Sequence, residues 1–276
     1  MTIEIFRYLA AKGRIARHII NIMPPHQCYC EPFGGSAVIL LKKRPSSVEV
    51  YNDIYADLVN LFTCIQRNPE TLKKEVKCIP CSRLMFQKCL EELKSTQAKI
   101  PDYPRAAKFL FFQNMAWSGN TPINSKASSF RLVRQKRNVA IDFYKKTELI
   151  DTVAWRLQRV VLENLDYKDC IRKYDAPTTL FYVDPPYVAT SNVSNIDFTQ
   201  KQHRELKRIL EQVQGKWILT YDDCQQTRDM YANYPMRFVD IPAIAPSSTC
   251  HGGIRLKRIS HLIITNFQVR TVKNFY

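Results

Sequence analysis

The chain has 276 residues, with 41 Lys and Arg against 25 Asp and Glu, and the resulting charge of +16 favours a polyanionic partner, nucleic acid above all. A hydrophobic content of 45% is that of a globular chain with room for a buried core, and no apolar run reaches the roughly 18 residues of a membrane span. Nine cysteines, an odd number, and an N-terminus (Met1-Thr2-Ile3-Glu4-Ile5) without a signal-peptide layout argue against a disulfide framework and for a cytoplasmic protein with no membrane partner.

Ile15, Ile19 and Ile22 predict a helix over 14–23, stopped by Pro24-Pro25. Residues 29–37 read as a short strand opening into a Gly34-Gly35 turn, and 38–43 as a helix with an apolar face. A second strand, 48–51, ends at Asn52-Asp53, and a helix over 58–66 follows. This strand, glycine turn, helix, strand, acid unit has the logic of a nucleotide-binding half, in which glycines admit the ligand and the acid accepts ribose hydroxyls. The glycines do not fit G-x-G-x-x-G and no P-loop Lys-Ser/Thr follows. Glu31 and Asp53 would repel phosphates but suit a ribose and a cationic centre, so the expected ligand carries adenosine without phosphates.

Composition changes over 67–150, where 17 basic residues stand against 7 acidic ones. Residues 69–98 read as charged helices and 105–117 as an apolar, aromatic helix broken by Ser118-Gly119-Asn120. Alternation at 130–134 and 139–143 predicts two short strands around a basic turn, with Lys126, Arg131, Arg134, Lys136 and Arg137 as phosphate-contacting residues. A solvated charged face gives the same composition.

After 150 the α/β pattern returns. A strand over 159–162 leads to Glu163-Asn164-Leu165-Asp166, and the apolar strand Leu180-Phe181-Tyr182-Val183 delivers Asp184-Pro185-Pro186-Tyr187 at its C-terminal end. Ligands bind at that end in open α/β sheets. A carboxylate, rigid proline carbonyls and a ring form a receptor for a flat amine-bearing group, although the same four residues also make a turn leaving a core strand. Thr199 and Gln202 form a capping box for a helix that Gly215 closes. A strand over 217–221 follows, then an antiparallel pair at 237–241 and 262–265 flanking a polar loop (245–258) with the composition of a lid or nucleic-acid contact. Cys28/Cys30 and Cys78/Cys81 are weak zinc spacings and the five histidines are scattered, so no metal site is expected.

With these pieces placed, the chain resembles the DNA adenine-N6 methyltransferases of the Dam-like α group, which includes phage and restriction-associated enzymes. Arg7-Tyr8-Leu9-Ala10-Ala11-Lys12 looks like the family's cofactor-contacting segment, Glu31-Pro32-Phe33-Gly34-Gly35 its cofactor loop, Asn52-Asp53 its ribose-binding acid and Asp184-Pro185-Pro186-Tyr187 its catalytic tetrapeptide. The resemblance implies a Rossmann-like, S-adenosylmethionine-dependent methyltransferase fold. It would be an α/β domain (1–66 and 151–276) with a mostly parallel seven-stranded sheet and an antiparallel C-terminal hairpin, plus a helical, basic target-recognition insertion (67–150). It implies methyl transfer to N6 of an adenine flipped out of double-stranded DNA. The catalytic residues would be Asp184, Pro185, Pro186 and Tyr187. The cofactor would be held by Tyr8, Lys12, Glu31, Phe33, Gly35, Asp53, Asn164, Asp166 and Asp184. A GATC-like target and a restriction endonuclease sharing the site belong to the same resemblance. Two departures stand out: Ala37 replaces a frequent glycine, and Ala10-Ala11 a Gly-Gly or Gly-Ser pair; they raise a weakened or silent enzyme as an alternative, against which Lys12, Asp53 and the complete catalytic tetrapeptide are retained. Cytosine-N4 methylation, RNA methylation and a DNA-binding protein without catalysis are the competing readings.

Overall fold

The computed structural model describes residues 4–6, 12–95, 97–116, 129–130, 138–187, 198–242 and 258–269. After a 3₁₀ turn at Lys12–Arg14 come α1 (Ala16–Ile20), β1 (Cys28–Glu31), α2 (Val38–Lys42), β2 (Val48–Asn52) and α3 (Ala56–Arg67). The next helices are α4 (Pro69–Lys77), α5 (Arg83–Ser95), α6 (Tyr103–Met115), α7 (Val139–Thr147) and α8 (Ile150–Leu157). The chain then returns to β3 (Val160–Glu163), α9 (Tyr167–Tyr174), β4 (Thr179–Val183), α10 (Gln200–Gln212), β5 (Lys216–Asp222), α11 (Gln225–Met230), β6 (Met236–Pro242) and β7 (Arg258–Thr265).

Local chemistry sets several boundaries. Asn68 accepts from Thr71 N with Pro69 opening α4, Asp102 accepts from Arg105 N before α6, and the Thr199–Gln202 capping box opens α10. The expected strand at 139–143 is instead the start of α7. Asn138 accepts from Ala140 N and Ile141 N, and Phe143 is buried with its ring centroid 5.6 Å from that of Phe111. A cap and one buried aromatic outweigh the alternating pattern. Of the other expected strand, 130–134, only Phe130 is among the described residues, where it makes an isolated antiparallel bridge to Ala116. The helix expected over 14–23 is confined to the five residues of α1.

The strands form one sheet in the order β3-β2-β1-β4-β5-β7-β6, parallel except for the antiparallel β5–β7 and β7–β6 pairs. Strand order reverses between β1 and β4, the point where such sheets open a ligand crevice. There the parallel registers bring Glu31, Asn52 and the residues after Val183 to the same edge. All five residues of β4 are buried, as expected of a strand covered on both faces. On one face Leu180, Tyr182 and Ile218 join α2 and α3, and on the other Phe181, Val183, Trp217 and Tyr221 join α9 and α10. The first core continues without a break into α4–α8 through Phe62, Phe86, Phe109 and Phe112. Arg105 fixes the junction, with Nε donating to Asp57 Oδ1 at 2.5 Å and Nη2 to Asp57 Oδ2 and the Leu93 carbonyl, both at 2.9 Å.

Candidate active site

Two acidic positions lie on the first half of the sheet edge. Asp53 follows β2, where its Oδ2 accepts from Gly35 N and its Oδ1 from Tyr55 N, each at 2.8 Å. Burial pushes its carboxyl up to about 6, with those two N–H donors pulling the other way. Each donor occupies one lone-pair position on its oxygen, so the carboxylate keeps further acceptor capacity for a diol. Glu31 ends β1 wholly buried, with Tyr29 Oη donating at 2.7 Å and Leu40 N at 2.8 Å, both to Oε1. Burial pushes this carboxyl up to about 8, and the nearby Asp184 charge adds to the rise.

The turn between them is tightly held. Gly34 N donates to the Asn52 carbonyl at 2.7 Å and Tyr51 Oη to the Gly35 carbonyl at 2.8 Å. A Cβ on Gly34 would lie 2.2 Å from the Tyr51 ring, so only glycine fits. Gly35 has a φ of 51°, and Ala37 takes the same left-handed conformation with a φ of 54°. The alanine thus holds a backbone conformation usually left to glycine. Phe33 stacks on Tyr167 at 5.1 Å between centroids and meets the edge of Phe198 at 5.8 Å.

The second half is built around Asp184, which follows β4. Lys12 Nζ lies 2.8 Å from its Oδ1, and Thr220 of β5 donates to the same oxygen at 2.7 Å. The Lys12 ammonium also sits 4.4 Å from the centroid of the Tyr187 ring. The Tyr187 hydroxyl is 3.3 Å from Nδ1 of His261 on β7, and burial pushes its phenol well up and the imidazole down. The proline pair leaves a carboxylate and an aromatic ring side by side, anchored by three different strands.

The chain matches the model of the D12 class N6 adenine-specific DNA methyltransferases over residues 8–243. It belongs to that family. It is 20% identical over 283 residues to the Type II methyltransferase M1.LlaDCHI of Lactococcus lactis subsp. cremoris, an alignment covering 95% of this chain and 94% of that one. Among solved structures it is similar to the rRNA methyltransferase aviRa of Streptomyces viridochromogenes at 12% identity, covering 96% of this chain and 90% of that one with a TM-score of 0.38.

The methyltransferase is thus a site-specific DNA adenine methyltransferase with S-adenosylmethionine as methyl donor, on the Rossmann-like α/β sheet expected. Lys12, Glu31, Phe33, Gly35, Asp53 and the Asp184 tetrapeptide all come to one sheet edge. Asn164 and Asp166 lie beside the same edge and also brace the scaffold. Asn164 Nδ2 donates to the Asp53 carbonyl at 2.7 Å and Asp166 caps α9 by accepting from Lys168 N. Tyr8, the five basic residues Lys126, Arg131, Arg134, Lys136 and Arg137, and the 245–257 part of the polar loop lie outside the described residues. The two cysteine pairs lie on different elements, Cys28 and Cys30 on β1 and Cys78 and Cys81 after α4, and no cluster of three metal-ligating side chains occurs among the described residues. Sequence reading missed Thr220 and His261, whose only signal is a polar side chain inside a buried strand.

Proposed function

We propose that the methyltransferase acts on an adenine flipped out of double-stranded DNA, with the Asp184 tetrapeptide as the base receptor and the Glu31-to-Asp53 edge as the cofactor cradle. The supporting observation is the Asp184 carboxylate itself, held at the sheet's switch point with two donors converging on Oδ1. The cofactor supplies an electrophilic methyl group. An exocyclic adenine amine is a poor nucleophile because its lone pair is delocalised into the ring. The Asp184 carboxylate and Pro185 carbonyl accept from the two amine hydrogens, which favours a pyramidal nitrogen whose lone pair is free to face the cofactor cradle. Tyr187 covers the ring, contributing about 1–3 kcal/mol by analogy with base stacking on single strands. Asp53 accepts from the ribose hydroxyls. Glu31 faces a cationic centre, and Lys12, Phe33, Gly35 and Tyr8 complete the cradle.

The segment 67–150 is the target-recognition part in this reading, and its basic residues carry the phosphate contacts. A restriction endonuclease of the same specificity, working with it in the cytoplasm, belongs to this reading; the Type II designation of the relative supports the endonuclease. The test is incorporation of labelled methyl into plasmid DNA followed by nucleoside analysis. N6-methyladenine is expected from the natural enzyme and none from Asp184→Ala, which should still bind DNA. A product at cytosine N4, or an active Asp184→Ala, refutes the assignment.

A further inference from the structure

The position that the cofactor cradle and the tetrapeptide leave unexplained is Thr220. It lies in the middle of β5, wholly buried, in a run of otherwise large apolar and aromatic side chains (Trp217, Ile218, Leu219, Tyr221). A hydroxyl there costs stability unless it is fully bonded, and valine would fill the space without that cost. Its bonds run in one direction. The hydroxyl has one proton, which goes to Asp184 Oδ1 at 2.7 Å because an ionised carboxylate only accepts. The contact with Tyr182 Oη at 3.2 Å is therefore made on a Thr220 lone pair, with the phenol donating. Burial pushes the Tyr182 phenol well above its ordinary range, which keeps that proton in place. The result is a chain from Tyr182 through Thr220 to Asp184, crossing from β4 to β5 and back, with the Tyr187 side chain also in hydrogen-bond contact with the Thr220 hydroxyl.

We infer that Thr220 is a positioning residue for methyl transfer: its hydroxyl, with Lys12 on the same oxygen, fixes the plane of the Asp184 carboxylate so that Oδ2 meets the adenine amine. A single donor lets Oδ1 move along an arc as the planar carboxylate turns about its Cβ–Cγ bond. Two donors on Oδ1 from different sides, Lys12 Nζ and Thr220 Oγ1, stop that rotation before the substrate arrives. Such preorganisation lowers the barrier without tightening ground-state binding. The loss should therefore fall on the rate of transfer and leave the Michaelis constants alone.

This inference rests on Asp184 receiving the adenine amine, so Asp184→Ala runs alongside as a control. The experiment is single-turnover methyl transfer from labelled S-adenosylmethionine to a cognate duplex, with steady-state constants for both substrates. For Thr220→Val we expect a transfer rate lower by roughly 10- to 100-fold, the loss of one hydrogen bond to a charged group. Both Michaelis constants should stay within about threefold of the natural enzyme's. Thr220→Ser, which restores the hydroxyl, should recover most of the rate, and Tyr182→Phe should show a smaller loss of the same kind. Circular dichroism and thermal melting establish that each variant is folded. A folded Thr220→Val with a transfer rate within twofold of natural overturns the inference, as does a Ser variant no better than Val. A Val variant whose loss lies in the Michaelis constant for the cofactor overturns it too. An active Asp184→Ala would instead overturn the reading of the site beneath it.

Discussion

Lys12 Nζ and Asp184 Oδ1 are 2.8 Å apart, and the same ammonium stands over the ring of Tyr187. The lysine is 4% exposed against 20% for the carboxylate, so the cation forms the floor of the receptor and Asp184 its open side. A positive charge there complements a carboxylate whose task is to accept. Removing it as Lys12→Met keeps the length and apolar stem while deleting one charge-assisted hydrogen bond, about 1.5–3 kcal/mol. The expected outcome is a drop in methyl transfer of roughly 10- to 100-fold. DNA binding measured by gel shift should be unchanged. A Met variant that transfers at the natural rate would show that the ion pair has no part in the chemistry.

Glu31 makes the stability of the cofactor-free protein depend on pH in an unusual sense. The folded carboxyl holds its proton up to about 8, whereas the ordinary value for the group is 4.5. Between those values the folded state binds more protons than the unfolded one, so this group's contribution declines as pH rises through the window and levels off above it. The full change is on the order of 5 kcal/mol at about 1.4 kcal/mol per pH unit. Glu31→Gln can keep both donors, since Tyr29 and Leu40 meet on Oε1. Denaturant melts at pH 5 and pH 9 should therefore show the Gln variant losing less stability than the natural protein over that interval. Equal losses in the two proteins would mean that Glu31 titrates near its usual range.

The cofactor edge was legible in the sequence for a physical reason. Glycines next to a strand end and an acid after the next strand are local patterns, and Gly34 and Asp53 bond to each other's neighbourhoods. The Asp184 strand announced itself by apolar continuity alone. What stayed hidden depends on strand order. Thr220 reads as an ordinary β-branched strand former, and only the β4–β5 register reveals that its hydroxyl lies against Asp184. The scaffold bonds of Asn164 to the Asp53 and Ile54 carbonyls, and of Asp166 to the start of α9, were likewise hidden, because they join segments far apart in sequence or depend on where the helix begins. At 139–143 the alternation was real, yet Asn138 and Phe143 supplied the cap and the buried contact of a helix.

The basic segment gives a prediction that reads charge and not geometry. Arg134, Lys136 and Arg137 are proposed to pair with phosphates, and each pairing releases counterions from duplex DNA. The slope of log affinity against log salt falls by about 0.9 for every phosphate that is no longer neutralised. Replacing all three with Gln should weaken binding and flatten that slope by up to ~2.7. The checking measurement is fluorescence anisotropy of a labelled duplex at several salt concentrations. An unchanged slope would place the phosphate-binding residues elsewhere.

Ala37 carries the last prediction. Its place in the cofactor loop, where the resemblance puts a glycine, raises the question of whether the alanine weakens cofactor binding. Yet Ala37 takes the left-handed conformation with a φ of 54°, accepting from Leu41 N at 2.9 Å and donating to the Gly34 carbonyl at 2.8 Å. The backbone strain is about 1–2 kcal/mol. Glycine at 37 would relieve it but would lose a buried methyl worth about 0.8 kcal/mol and add roughly 0.4–1 kcal/mol of unfolded-chain freedom. The terms nearly cancel, so Ala37→Gly should change stability by no more than about 1 kcal/mol and cofactor affinity by no more than about threefold. Gly34→Ala contrasts with it, because the new Cβ has to displace the Tyr51 ring that closes the turn through the Gly35 carbonyl. That variant should lose both cofactor affinity and melting temperature. Calorimetric titration of S-adenosylmethionine into both variants decides the matter: a large gain in affinity for Ala37→Gly would mean that the alanine holds the cradle away from its ligand.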